Sequence, residues 1–226
     1  LIRDLQRRHF ILSASIGPLL GISAPLAQAQ PAARKAAAPT RPPVILVLGD
    51  SLSAEYGLAR GTGWVALLEK QLAQEKFSAT VVNASVSGDT TSGGRARLAS
   101  LLAQHQPTHV VIELGGNDAL RGLPLKNTEE NLAAMTQAAQ KAGAKVLLVG
   151  MQVPPNYGTD YANRFAGLFS TVAKAHNAAV VPLFLKGIAD GADPTRLFQP
   201  DRIHPRAEAH PQMLANVWPE LKKLLR

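Results

Sequence analysis

Val44-Ile45-Leu46-Val47-Leu48 is an unbroken apolar run that stops at Gly49-Asp50-Ser51. Apolar residues in succession, without alternation, suit a strand covered on both faces, which is the environment of a parallel sheet. Further short apolar runs lie at Ala79 to Asn83, His109 to Leu114, Lys145 to Met151 and Ala179 to Leu183. Helical spacing fills the gaps between them. It runs from Trp64 to Phe77 (through Leu67, Leu68 and Leu72), Arg95 to Gln104, Glu129 to Ala142 and Tyr161 to His176. Glu208 to Leu225 closes the chain, and Gly143 is placed to end the third helix. Five strands alternating with helices predict a three-layer α/β domain, a parallel sheet with helices on both faces.

In such sheets ligands bind beyond the carboxyl ends of the strands. Four polar clusters follow strands one, two, three and five: Gly49-Asp50-Ser51, Ser87-Gly88-Asp89, Gly116-Asn117-Asp118 and Asp201-Arg202-Ile203-His204. All four should therefore open onto one edge. Each alone has an ordinary structural reading, as a turn, a helix cap or a braced loop. Together they hold the parts that acyl transfer needs. Ser51 is the candidate nucleophile and must lose its proton to a base as it attacks a carbonyl. His204 can take that proton, and Asp201 can orient the ring and stabilise the imidazolium. The backbone N–H groups of Ser51 and Gly88 and the amide of Asn117 are candidate donors to the oxyanion. Glycine at 88 keeps a side chain out of the oxygen's way. The sequence around Ser51 lacks the Gly-x-Ser-x-Gly elbow of α/β-hydrolases, because Ser53 stands where the second glycine would be.

Gly49-Asp50-Ser51-Leu52-Ser53, Gly88, Gly116-Asn117-Asp118 and Asp201-x-x-His204 occur in the order of the four sequence blocks of the SGNH/GDSL hydrolases, which this chain resembles. Asn83 to Thr90 and Glu113 to Asp118 are most similar to its bacterial thioesterases, lysophospholipases and arylesterases. The likeness spans Val44 to about Leu225. It implies a flavodoxin-like sheet of order 2-1-3-4-5, no cofactor and no metal. It also implies action on acyl esters and thioesters, with lysophospholipids as possible lipid substrates. The same likeness carries catalytic roles to Ser51, Gly88, Asn117, Asp201 and His204. Glu55 departs from the family, which has a small residue there, at the pocket entrance. Val153-Pro154-Pro155-Asn156-Tyr157-Gly158 resembles the family's substrate-lining loop. Two other functions use the same scaffold: a carbohydrate acetyl esterase, and a non-catalytic periplasmic binding protein.

The 226 residues allow one domain with a sizeable core. Absence of cysteine excludes disulfides, a thiol nucleophile and thiolate metal sites. The net charge of +8 is scattered, without a basic run or nucleic-acid motif, and reads as solvated surface rather than a nucleic-acid partner. His105, His109 and His176 lack partners at metal-ligand spacing. His210 rivals His204 as base, but no acid precedes it at the matching offset and Pro211 follows. Trp64 and Trp218 read as core anchors.

Residues 1–29 have the three parts of a secretory signal: Arg3, Arg7 and Arg8, an apolar stretch from Phe10 to Leu26, then Ala27-Gln28-Ala29. Arg7-Arg8 also resembles a twin-arginine signal. The apolar stretch is short for a membrane span and carries Gly17, Pro18, Gly21 and Pro25. Residues 30–43, rich in Pro, Ala and basic groups, read as a tether. The expected layout is a signal peptide (1–29), a tether (30–43) and a hydrolase domain (44–226), with a periplasmic or secreted product.

Overall fold

The computed structural model describes residues 41–153, 155–190 and 193–226. Each apolar run forms a strand: β1 (Val44–Gly49), β2 (Thr80–Asn83), β3 (His109–Glu113), β4 (Lys145–Val149) and β5 (Ala179–Val181). All pair in parallel, in the order β2-β1-β3-β4-β5. The helices are α1 (Trp64–Gln74), α2 (Thr91–His105), α3 (Gly116–Leu120), α4 (Leu125–Lys141), α5 (Thr159–Ala175) and α6 (His210–Leu225). α1 packs on α6, and α2 on α4, which also meets α5. These two groups cover opposite faces of the sheet. Ile45 to Leu48 and Val110 to Ile112 are buried at every position, the reason their sequence is apolar without alternation.

Where helix boundaries differ from the sequence expectation, a tertiary contact explains most of it. α2 begins at Thr91, four residues before Arg95, with the Thr90 hydroxyl accepting from Gly93 N–H (3.3 Å). Gly93 and Gly94 concealed that first turn, since glycine is a poor helix former. They are glycine because of their neighbours. A Cβ on Gly94 would lie 2.3 Å from Leu114 Cδ1, and one on Gly93 1.9 Å from Asp89 Oδ1. α4 likewise starts at Leu125 rather than Glu129, with Thr128 buried. Instead of a tight turn, the segment after β3 forms the short helix α3. α6 starts at His210, after a 3₁₀ turn over Ala207–Ala209.

The proposed leader and residues 30–40 of the tether lie outside the described residues. Arg41 donates to the Gln106 carbonyl (2.7 Å), and Pro43 O accepts from Thr80 N (2.9 Å), leading the chain into β1. Among the described residues no helix is long and apolar enough to cross a membrane.

Candidate active site

β1 delivers Ser51 to the carboxyl edge of the sheet. The Asp50 carbonyl accepts from Ser53 N (3.2 Å) and Ala54 N (3.0 Å), and its Oδ1 accepts from Leu52 N (3.0 Å), so the strand ends in a tight turn. Ser51 Oγ lies 2.9 Å from Nε2 of His204, although the two are 153 residues apart in the chain. Nδ1 of His204 lies 2.7 Å from Asp201 Oδ2. Asp201 Oδ1 accepts from the backbone N–H groups of Ile203 (2.9 Å) and His204 (3.0 Å). One carboxylate thus grips both the ring and the backbone of the same histidine, which the three-residue spacing allows. Arg202 adopts a left-handed φ of 58° to close this loop. Burial pushes the Asp201 carboxyl up, but hydrogen bonds from His204 and Ile203 outweigh it and hold it down at about 2. An ionised carboxylate only accepts, so Nδ1 carries a proton and the neutral ring turns the Nε2 lone pair toward Ser51.

Gln199 fastens this loop to the one that carries Ser51. Its N–H donates to His204 O (2.7 Å), and its amide donates to Tyr56 O (3.0 Å) and Pro205 O (3.2 Å). Tyr56 was missed by sequence reasoning. Its ring centroid lies 4.3 Å from that of His204, tilted by 34°. Glu55 occupies a left-handed conformation (φ 59°) and turns inward. Its carboxylate accepts from Gly61 N (3.0 and 3.1 Å) and Gly63 N (2.7 Å). Glu55 therefore organises the β1–α1 loop.

Gly88 and Asn117 reach the same edge. Gly88 has φ 78°, and a Cβ there would meet only Arg121 Nη2, at 3.7 Å. In the free site the backbone conformation, more than space, calls for glycine. Arg121 donates to the Gly88 carbonyl (2.7 Å). Among the described residues no hydrogen bond engages the N–H of Ser51 or of Gly88. Asn117 differs: its amide nitrogen donates to Asp50 Oδ2 (3.0 Å) and to Asp89 O (3.0 Å). Asp50 braces its own turn and Asn117 as well. Asp118 reaches the start of α2, accepting from Thr91 N (2.8 Å).

Behind Ser51 lies a buried polar cluster that sequence reasoning missed because Glu113 read as a strand residue. Gly49 and Glu113 are neighbours across β1 and β3. Glu113 is fully buried, and its Oε2 accepts from Ser53 Oγ (2.6 Å) and Asp50 N (3.3 Å). Ser53 Oγ accepts in turn from the Trp64 indole (3.0 Å), while Glu113 Oε1 has no partner. Burial, and then the adjacent Asp50 charge, push the Glu113 carboxyl well above its ordinary range. Asp50 is also raised by burial, against the opposing hydrogen bonds from Leu52 and Asn117. Of the two, Asp50 has the better donors and ionises first, so Glu113 keeps its proton.

That assignment has a consequence for stability. An unfolded glutamate ionises near pH ~4.3, whereas folded Glu113 stays protonated. Above that pH the unfolded state releases a proton that the native state retains, so stability falls as pH rises, by at most ~1.4 kcal/mol per unit. Glu113→Gln lacks this slope. Between about pH 5 and about pH 8 its Tm should decline less than that of the wild type, by several degrees in a melting series. Equal slopes would show that Glu113 is ionised in the native protein.

The remaining candidates have structural roles. His210 is buried, its Nδ1 accepts from Trp64 N (3.0 Å), and burial lowers its pKa. His109 is buried between Thr108 Oγ1 (2.8 Å) and the Leu224 carbonyl (3.0 Å). Trp64 is buried, and Trp218 packs edge-on against Phe77 and donates to Glu75 (3.0 Å). A cavity of about 430 Å³ lies at the opposite edge of the sheet, between Gln140, Lys145 and Leu224, remote from the Ser51 constellation.

Residues 47–211 match the model of the GDSL-like Lipase/Acylhydrolase family. The esterase TesA of Pseudomonas aeruginosa is 52% identical over 181 residues, covering 80% of this chain and 89% of that protein. The thioesterase 1/protease 1/lysophospholipase L1 of Escherichia coli K12 is 43% identical over 178 residues, 79% of this chain and 81% of that protein. Among solved structures, the psychrotrophic esterase EstA from Pseudoalteromonas, inhibited by monoethylphosphonate, superposes with a TM-score of 0.74 at 41% identity. It covers 80% of this chain and 98% of its own.

Proposed function

The chain belongs to the GDSL-like lipase/acylhydrolase family and is a carboxylic ester hydrolase, and we propose that it works through an acyl-enzyme on Ser51. Ser51 Oγ attacks the carbonyl carbon while its proton passes to His204 Nε2, and Asp201 stabilises the resulting imidazolium. The carbonyl oxygen, now negative, takes the N–H groups of Ser51 and Gly88. It also draws one amide hydrogen of Asn117 away from Asp89 O. His204 then gives its proton to the leaving alcohol or thiol as the carbonyl re-forms. Water, deprotonated by the same ring, releases the acid and restores Ser51. The alignment of Ser51, His204 and Asp201, at 2.9 and 2.7 Å, carries this reading.

Aryl esters, acyl thioesters and lysophospholipids are the proposed substrate range, supported by the names of the relatives. Tyr56, Val86, Leu120 and Ile203, the exposed large apolar side chains among the described residues, stand on the connections that carry the site and favour an acyl chain over a sugar. The protein is proposed to be exported, with residues 1–29 removed. One experiment addresses both points. A fluorophosphonate should label the exported protein once, at Ser51, and the same mass spectrum should place its N-terminus near Gln30. Label on Ser53 or Ser87 overturns the mechanism, and retention of residues 1–29 overturns the export. Hydrolysis of p-nitrophenyl acetate to palmitate, an acyl-CoA, a lysophospholipid and an acetylated polysaccharide then ranks the substrates. A dominant polysaccharide would favour the carbohydrate esterase.

A further inference from the structure

Tyr56, Val86, Leu120 and Ile203 are 50%, 51%, 48% and 45% exposed. They stand on four different connections: after β1, after β2, in α3 after β3, and in the loop before α6. Each is close in sequence or space to a site residue. Tyr56 lies against His204, Ile203 precedes it, Val86 is two residues before Gly88, and Leu120 three after Asn117. A single acyl chain would touch one side of such an opening. A flat apolar boundary would touch all four sides together.

Charge on the same connections selects the kind of boundary. Arg60, Arg121, Arg202 and Arg206 are exposed, and among the described residues none is in an ion pair. Most carboxylates here are engaged internally; Glu208, in the turn before α6, is exposed and among the described residues is in no ion pair. Glu55 holds the Gly61 and Gly63 N–H groups, Asp89 pairs with Arg97 (2.8 Å), and Asp201 holds His204. Exposed Asp190 and Asp193, further along the loop after β5, accept from Gly187 N (2.6 Å) and Thr195 N (3.1 Å). Apolar side chains interleaved with unpaired arginines suit a surface whose headgroups are anionic and whose interior is hydrocarbon.

We propose that the site edge docks on an anionic phospholipid bilayer, with Val86 and Leu120 entering the acyl boundary and the arginines at the headgroups. This rests on the hydrolase reading, because docking there places Ser51 where a lipid ester would be presented.

Because the chain contains no cysteine, a single introduced thiol reports one position. Full-length protein carrying Val86→Cys, Leu120→Cys or, on the opposite edge, Lys141→Cys is labelled with an environment-sensitive fluorophore. It is then mixed with vesicles of phosphatidylglycerol and phosphatidylcholine. Labels at 86 and 120 should shift to the blue and become shielded from an aqueous quencher by about fivefold or more, and the label at 141 should not. The shift should weaken at ~0.5 M salt and on pure phosphatidylcholine. Labels at 86 and 120 that stay in water overturn the proposal, as does an equal response at 141. An equal shift on neutral vesicles removes the anionic partner. A shift that needs no vesicles and grows with protein concentration assigns the face to a second copy of the chain. Hydrolysis of a water-soluble acetate ester, compared with Ser51→Ala, is followed in parallel. Its loss of dependence on Ser51 would break the hydrolase reading and leave the vesicle result standing.

Discussion

His204→Ala lowers kcat by roughly four to six orders of magnitude, and adding Ser51→Ala to it costs almost nothing more. The base and nucleophile act as one unit. Without Nε2 2.9 Å away, the Ser51 hydroxyl keeps its proton and remains a poor nucleophile. Residual rate comes from the oxyanion donors and substrate binding, which both variants retain. Asp201→Asn falls between wild type and His204→Ala, because the carboxylate that fixes the Nδ1 proton is replaced by an amide that can also donate. Single-turnover kinetics with an activated ester measure the wild type, Ser51→Ala, His204→Ala, the double variant and Asp201→Asn. Losses that add up across the double variant would mean that Ser51 and His204 act separately. His210→Ala provides the contrast. That residue is buried and bonded to Trp64 N, so its loss should lower Tm and leave kcat largely intact in the protein that stays folded. The reverse pattern would move the base by six residues.

For Asn117→Ala we expect kcat to fall by about two to three orders of magnitude with KM nearly unchanged. The amide has little to offer a ground-state carbonyl, since its donors are already engaged by Asp50 and Asp89 O. Only a developing negative charge competes with those acceptors, so the benefit falls on the transition state. The same substitution strips Asp50 Oδ2 of its donor, so a Tm measurement accompanies the kinetics. A change confined to KM would make Asn117 a substrate contact. A fall in kcat that follows the fall in folded protein would make it only a brace for the Asp50 turn.

The sheet was legible because burial on both faces forces continuous apolar sequence, and Ile45 to Leu48 and Val110 to Ile112 meet that demand at each position. The site motifs were legible because each directly follows a strand or sits in the last loop, where topology dictates one edge. What stayed hidden depended on partners distant in the chain. Gly93 and Gly94 fell outside the helix expected from Arg95, and their contacts with Asp89 and Leu114 appear only in the folded chain. Glu113 read as the polar end of a strand, and its tie to Ser53, 60 residues earlier, appears only once β1 and β3 are paired. Glu55 and Tyr56 followed the nucleophile motif without a pattern of their own, and their roles come from the folding back of the loop onto Gly61, Gly63 and His204. Asn117 was found by its motif, but its engagement by Asp50 and Asp89 was not foreseeable from it.

The grip of Asp201 on both ring and backbone of His204 makes that pair a four-residue cassette, stapled through Gln199 to the loop that follows Ser51. The exposed stretch from Asp193 to Arg196 can therefore change in length or composition without disturbing the link between His204 and Ser51. Such variation would alter the surface next to the cassette and leave His204 in register with Ser51, a separation of parts that lets a loop change while the pairing behind it stays fixed.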